Sequence, residues 1–299
     1  MWFKNLKLFA ITQTLDWQED DVEQKLAEFK FRPCNSQELS TMGFSSPFES
    51  GSTLLHSAQG RIWITLKKQE RILPAVVVNA ELAEKVAQIE TETGSAVGKK
   101  AKQDLKEEII RRLLPQAFTK NSFTHGFISI KDNLVVVDAS ADGKAEVFLA
   151  MIRKAMTSLP VVPLSRTSIQ GELTNWIKDS AAPSDVVLLE EAELRGQGEE
   201  DSIVRVKNQP LMEDEILNHI EAGKFVHKLA IEWDESLTAM LEEDLSVKRL
   251  KFTDVVKEQN DDIPKEDKLA RVDADFTLMS GEIVRFSQWL IKTFSLDQD

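Results

Sequence analysis

The chain has 299 residues, 42% hydrophobic and 29% charged, with a formal net charge of −13, one cysteine and four histidines. Such a length supports a sizeable core and either two domains or one elaborate one. The lone Cys34 excludes an internal disulfide and, with so few scattered histidines, a Cys/His metal cluster, and no run reaches the roughly 18 apolar residues of a membrane span. A reducing cytoplasm is the expected compartment.

The opening MWFKNLKLFA alternates polar with apolar residues and has no small-residue cleavage site behind an apolar run, so residues 2–11 read as a strand and not as a signal peptide. A helix should follow, with Val22, Leu26 and Phe29 at i, i+4, i+7 behind Glu19, Asp20 and Asp21, acidic residues that suit a helix N-terminus. Residues 32–60, rich in Pro, Gly and Ser, read as loop with room for one strand. Arg61–Lys68 then alternates, setting Ile62, Ile64 and Leu66 on one face and Arg61, Trp63, Thr65 and Lys67 on the other. That second face suits either DNA or an edge strand protected by Lys.

Pro74 opens a helical region in which Leu82, Val86 and Ile89 form one amphipathic stripe, and the Gly94–Gly98 stretch permits a turn. The next segment, VGKKAKQDLKEEIIRRLLPQAF, carries six basic residues against three acidic ones. Lys99, Lys102 and Lys106 recur at i, i+3, i+7 as one stripe, and Leu105, Ile109 and Leu113 form the neighbouring apolar face. Pro115 ends the helix and leaves Phe118 on a short exit. The stripe is either a phosphate-binding surface or an ordinary solvated face, and the whole reads as an αα-hairpin projecting from a sheet domain. Charge is uneven along the chain: residues 61–120 hold 12 Lys+Arg against 8 Asp+Glu, while residues 190–244 hold 5 against 16. Screening confines exposed charges to about 8 Å at physiological salt, so a local basic face can still bind an anion.

Phe123–Ile130, a Lys131-Asp132-Asn133 turn and Leu134–Asp138 read as a β-hairpin with a buried second strand. Gly143–Leu159 reads as a helix with Val147, Met151 and Ala155 on its apolar face, widened by Phe148 and Ile152. Val161 and Val162 begin a strand, and Leu173–Lys178 form a short helix. Arg195–Asp201 reads as a turn, Ile203–Lys207 as a strand with Arg205 and Lys207 on one side, and Met212–Ala222 as a helix stopped by Gly223. Phe225–Trp233 is expected to put Phe225, His227, Leu229 and Ile231 on one face. Leu245–Phe252 is a strand carrying Lys248, Arg249 and Lys251, Asp273–Met279 a further strand, and Glu282–Phe294 a closing helix.

Asp273 and Asp275, with Asp254, Asp261 and Asp262 upstream, could hold Mg²⁺ for phosphodiester cleavage, but Asp-x-Asp arises easily in an acidic chain and equally marks one solvent face of a strand. His219 and His227 read as ordinary polar positions. Neither a phosphate-binding glycine loop, a dinucleotide fingerprint nor a G-x-S-x-G turn is present.

WFKNL at 2–6, IRRLLPQAF at 110–118, SLPVVPLS at 158–165, NHIEAGKFVHKLAIEW at 218–233, VKRLKFTD at 247–254 and DADFTLMSGE at 273–282 together resemble the RdgC family of bacterial recombination-associated proteins, in the same order and over essentially the whole chain. The resemblance implies a non-enzymatic, sequence-independent duplex-DNA-binding protein, nucleoid-associated, in which two subunits join at both ends into a ring and limit the RecA recombinase in recombination and replication-fork repair. It implies that Phe118 is a contact at one dimer junction, and that Arg205, Lys207 and Gln209 belong to a basic segment in which Asn208 stands where a second Lys is expected; Gln116 likewise stands at a position that can be Arg. A closed ring would turn its acidic surface outward and its basic stripes inward.

The expected fold is therefore α+β, with mixed or antiparallel sheets, packed helices and a projecting helical hairpin, assembled as a ring-shaped homodimer. Residues 1–73 and 121–180 would form a central α+β domain, 74–120 the hairpin and 181–299 a C-terminal α+β region. The expected DNA contacts are Lys99, Lys102, Lys106, Arg111, Arg112, Arg205, Lys207, Gln209, Lys248, Arg249 and Lys251, with no cofactor or metal. The rival readings are a Mg-dependent nuclease and an acidic interaction scaffold that does not bind DNA.

Overall fold

The computed structural model describes residues 2–48, 51–196, 202–264 and 267–296. In chain order the first part comprises β1 (Lys7–Ile11), α1 (Glu19–Ala27), β2 (Ser40–Ser45), β3 (Leu55–Ala58), β4 (Arg61–Arg71), α2 (Ala75–Thr93), α3 (Lys99–Leu113), β5 (Thr119–Ser129), β6 (Leu134–Val137), α4 (Asp142–Met156) and β7 (Val161–Pro163). The second comprises α5 (Gln170–Lys178), β8 (Val186–Gly196), β9 (Ile203–Lys207), α6 (Asp214–Glu221), β10 (Lys224–Trp233), β11 (Leu237–Glu242), β12 (Val247–Phe252), α7 (Asp254–Lys257) and α8 (Lys268–Thr293). The strands form a seven-stranded sheet, β2-β4-β5-β6-β1-β7 with β3 also on β4, and a five-stranded sheet, β12-β11-β10-β8-β9. All these ladders are antiparallel.

The seven-stranded sheet is apolar on both faces, which is why its central strands lack a clean polar alternation. In β6, Val135 and Val137 face a cluster with α1 and α4, whereas Leu134 and Val136 face a second cluster under α8. Gly126 of β5 permits the close approach of α4, since an added Cβ would lie 2.7 Å from the Phe148 ring. On the other side Trp63 stacks on Phe276 of α8 at 5.0 Å, and Phe127 meets the same ring edge-on. Leaving water contributes about 1.5–3 kcal/mol for a side chain such as Phe127 or Phe276. The α8 cluster continues onto one face of the five-stranded sheet, so one helix packs on both sheets. A buried Lys7 adds a polar tie between them, its ammonium 2.5 Å from Asp142 at the start of α4 and 3.0 Å from Asp244 in the turn before β12.

The α2–α3 hairpin springs from the end of the longest ribbon: β4 and β5 pair from Arg61↔Ser129 to Arg71↔Thr119, and residues 72–118 intervene. Pro74 precedes α2, and Gly94 closes it at φ 66° in the left-handed region. Lys85–Glu108 at 2.8 Å and an Arg112–Glu81 pair tie the two helices together. Val78, Ile109 and Leu114 are the buried apolar anchors of this region.

Several local expectations are corrected. Asp273–Met279 is helix, the front half of α8: Phe276, Met279, Ile283, Phe286 and Leu290 are buried at three- and four-residue spacings, and the Asp267 carboxylate caps the helix by accepting from the Ala270 N–H. Residues 2–6 precede the first strand, with Leu6 bridging Val247. The 32–60 region holds two strands. The Arg61/Trp63/Thr65/Lys67 face is not free, because Trp63 and Thr65 are each 1% exposed, and β4 is flanked by β2 and β5 rather than lying at an edge. In α4 the buried stripe runs through Ala145, Phe148, Leu149 and Ile152, leaving Val147 exposed. In β10, bulges at Val226/Lys228 and Leu229/Ile231 shift the phase, so Val226 rather than Phe225 is buried beside Leu229 and Ile231. Strand β12 begins at Val247, after a left-handed Leu245. Of the expected turn 195–201, residues 195 and 196 end β8 and the remainder lies outside the described residues.

Candidate nucleic-acid interface

The five-stranded sheet buries one face under α5, α6 and α8 and arrays cations on the other. Its register explains how. Arg205↔Glu193 and Lys207↔Glu191 pair between β9 and β8, and Lys228↔Glu193 and Lys228↔Glu242 carry the same face across β10 to β11. On β12, Lys248 lies opposite Met240 and Lys251 opposite Thr238. Residues three apart on a regular strand point to opposite sides, but a bulge centred on Arg249, at φ 54°, restores them to one side. The backbone of this strand is held by the N-terminal segment, with the Leu250 N–H donating to the Lys4 carbonyl at 2.8 Å.

Three glutamates interleave the cations. Glu193 accepts from Arg195 at 2.7 Å and Arg205 at 2.8 Å and lies 3.8 Å from Lys228. Glu242 meets Lys248 at 2.6 Å and Lys228 at 3.3 Å, and Glu191 meets Arg249 at 2.9 Å and Lys207 at 3.8 Å. Burial alone would raise the Glu193 carboxyl, but its hydrogen bonds from Arg195 and Arg205 and the Lys228 charge bring it below the ordinary value. Glu193 therefore stays ionised and orients its cations, and among the described residues six basic groups stand around three carboxylates. The face lines an open cavity of about 320 Å³.

The other expected contacts occupy different places. Lys99 and Lys102 are exposed on α3, Lys106 is half-buried, and these three, like Lys251, form no ion pair among the described residues. Arg111 turns back onto the Glu107 carbonyl, and Arg112 is taken up by Glu81 within the hairpin. Gln209 is off the sheet, its amide donating to Glu215 at 3.0 Å beside the start of α6. The sequence reading missed Arg195, assigned to a turn although it lies in β8, and Lys228, because the β10 bulges break the alternation that would have placed it with Arg205.

Phe118 is 85% exposed, on the short exit from the hairpin. Its backbone carbonyl accepts from the Ile72 N–H at 2.8 Å, and Leu39, Ile72, Val76 and Val77 are further exposed apolar residues around the hairpin base. Arg71 rigidifies this corner by donating to the carbonyls of Leu114 at 3.0 Å, Ala117 at 3.1 Å and Asn35 at 3.0 Å.

Of the aspartates considered for a metal, three have separate partners: Asp273 meets His56 at 2.7 Å, Asp275 accepts from Asn260 at 3.2 Å, and Asp261 meets Arg271 at 3.3 Å. Among the described residues no group of three or more His, Cys, Asp or Glu could hold a metal ion, and no helix is long and apolar enough to cross a membrane.

Comparison with known proteins matches residues 1–296 to a family model described as "Putative exonuclease, RdgC". A "Recombination-associated protein RdgC" of Pseudoalteromonas atlantica is 70% identical over 299 residues, covering 100% of this chain and 99% of that protein. Proteins of the same description from Shewanella oneidensis and Colwellia psychrerythraea are 46% identical over 293 residues and 44% identical over 298 residues. They cover 97% of this chain and 96% of the relative, and 99% and 97% respectively.

Proposed function

Since the chain belongs to the RdgC family of recombination-associated proteins, we propose that it is a sequence-independent duplex-DNA-binding protein without enzymatic activity of its own. In this reading it acts as a ring-shaped homodimer around DNA and limits RecA-dependent recombination and replication-fork repair. The observation that carries the reading is the cationic face of the five-stranded sheet, where Arg195, Arg205, Lys207, Lys228, Lys248 and Arg249 surround three glutamates. A sheet face of spaced cations suits phosphates and offers no helix to read base edges in a groove, so low sequence specificity follows. Lys251 and the Lys stripe of α3, which form no ion pair among the described residues, are further candidates for phosphate contact. The carboxylates hold the guanidinium groups in place, and the strongly acidic remainder of the chain faces away from DNA in the assembled ring.

The test is binding to linear duplexes of unrelated sequence across a salt series. Affinity should vary little with sequence, and Lys248→Ala and Lys251→Ala should each flatten the log-affinity against log-salt slope by about 0.9. A slope unchanged in both variants removes the sheet face from the interface, and no mobility shift at low salt favours the acidic scaffold. The description of the family model supports a nuclease as a second reading; incubation of end-labelled DNA with Mg²⁺ or Mn²⁺ checks it, intact DNA being the expected outcome.

A further inference from the structure

The β4 face bearing Arg61, Trp63, Thr65 and Lys67 is only half absorbed by the core. Beyond Trp63 a cavity of about 490 Å³ opens, lined among others by Ser45, Phe48, Thr65, Lys67, Phe123 and His125. Its size falls within the roughly 300–1,000 Å³ of small-ligand sites. Phe123 and His125, alternate residues of β5, hold rings 6.2 Å apart and within 16° of parallel. Phe123 is 45% exposed, so ring surface remains open to an incoming planar group.

Two polar features of the same cavity have no ion-pair or hydrogen-bond partner among the described residues. Lys67 lies opposite Phe123 in the strand register, its ammonium 5.6 Å from that ring centre and 4.4 Å from the Phe31 ring. It forms no ion pair among the described residues. Ser45 Oγ is buried with no hydrogen-bond partner, across the register from Thr65, whose hydroxyl meets His125 Nδ1 at 2.9 Å. A buried hydroxyl left unpaired is a cost that native structures avoid unless something else satisfies it.

An aromatic platform, a neighbouring cation and an orphaned polar atom together require a flat ring with a hydrogen-bonding edge and an anionic tail. An aliphatic side chain would leave Lys67 and Ser45 unanswered, and inorganic phosphate would leave the Phe123 ring bare. We propose that this cavity binds one unpaired nucleotide, its base stacked on the Phe123–His125 platform, its edge meeting the Ser45 hydroxyl once that side chain rotates into the cavity, and its phosphate beside Lys67. The site belongs to the seven-stranded sheet and does not depend on duplex binding by the five-stranded one.

The shared chemistry, a base joined to a phosphate, occurs in a free nucleotide and at an unpaired strand end. The experiment titrates the full chain into 2-aminopurine deoxynucleoside monophosphate and, separately, into a duplex whose single-nucleotide overhang is 2-aminopurine, following the quenching of base fluorescence by stacking. Saturable quenching is expected in at least one arm, and the arm that responds identifies the source. Phe123→Ala should weaken it about 5- to 100-fold, Lys67→Met should weaken the monophosphate more than the free nucleoside, and Lys178→Ala, at an exposed position of α5, should leave it unchanged. No quenching in either arm overturns the proposal, as does undiminished quenching by a Phe123→Ala protein that melts like wild type. Quenching without any duplex mobility shift would sustain the pocket while removing the duplex reading, so the two fail separately.

Discussion

His125 shows how one buried side chain makes stability depend on pH. Burial, reinforced by the Lys144 charge, pushes its imidazole down to about 4 from an ordinary 6.5. The unfolded chain therefore takes up a proton that the folded chain refuses, so stability is flat above pH about 6.5 and falls as pH drops from there towards about 4, by up to about 3 kcal/mol. The groups that face it are the Thr65 hydroxyl and the Trp63 and Phe123 rings, with Lys144 acting from α4. Asp138, whose carboxyl is raised chiefly by burial, acts in the opposite sense as pH falls towards its ordinary 3.8. Urea midpoints at pH about 7.5 and about 4.5 should therefore be compared with those of His125→Gln; the wild type should lose more, and equal losses would show that the imidazole is not the cause.

At the scale of the element, α3 has no acidic residue in its first turn, its N-cap Gly98 supplies no side-chain hydrogen bond, and Lys99 and Lys100 stand there instead. Cations at a helix N-terminus oppose the macrodipole. Replacing Lys99 and Lys100 by Glu should stabilise the helix by about 0.5 kcal/mol each, read as a higher melting temperature, while weakening duplex affinity at low salt. Higher stability with unchanged affinity would mark the stripe as solvated surface. The hairpin itself was legible because Pro74, Gly94 and Pro115 punctuate two clear apolar stripes. The front half of α8 was not, since Phe276 and Met279 sit three apart within a stretch short enough to read as alternation until Ile283 and Phe286 extend the helical period. The same limit applied to the interface: Lys248 and Arg205 were evident as cations, but nothing short of the register could show that the Arg249 bulge turns Lys251 to the Lys248 side or that Glu193 gathers Arg195, Arg205 and Lys228.

For the whole molecule, a net charge of −13 would oppose DNA binding if it were evenly spread. Closing a ring places two copies of each basic face towards one axis, so the proposed function depends on junctions between subunits as much as on the cations. Phe118 is the residue best suited to a junction. At 85% exposure it has little packing to lose within one subunit, yet Arg71 holds its segment rigidly through three backbone carbonyls. A preorganised aromatic amid exposed Leu39, Ile72 and Val76 has the character of an interface anchor, whose truncation costs about 2–4 kcal/mol of association. Phe118→Ala should therefore raise the dimer dissociation constant by roughly 30- to 1,000-fold and leave the unfolding of the dilute monomer nearly unchanged. Sedimentation velocity over a dilution series separates these effects: wild-type and variant chains that dissociate at the same concentration would move the junction away from the hairpin base. A variant that dissociates earlier but retains its salt slope on DNA would show that the cationic face binds without the ring being closed.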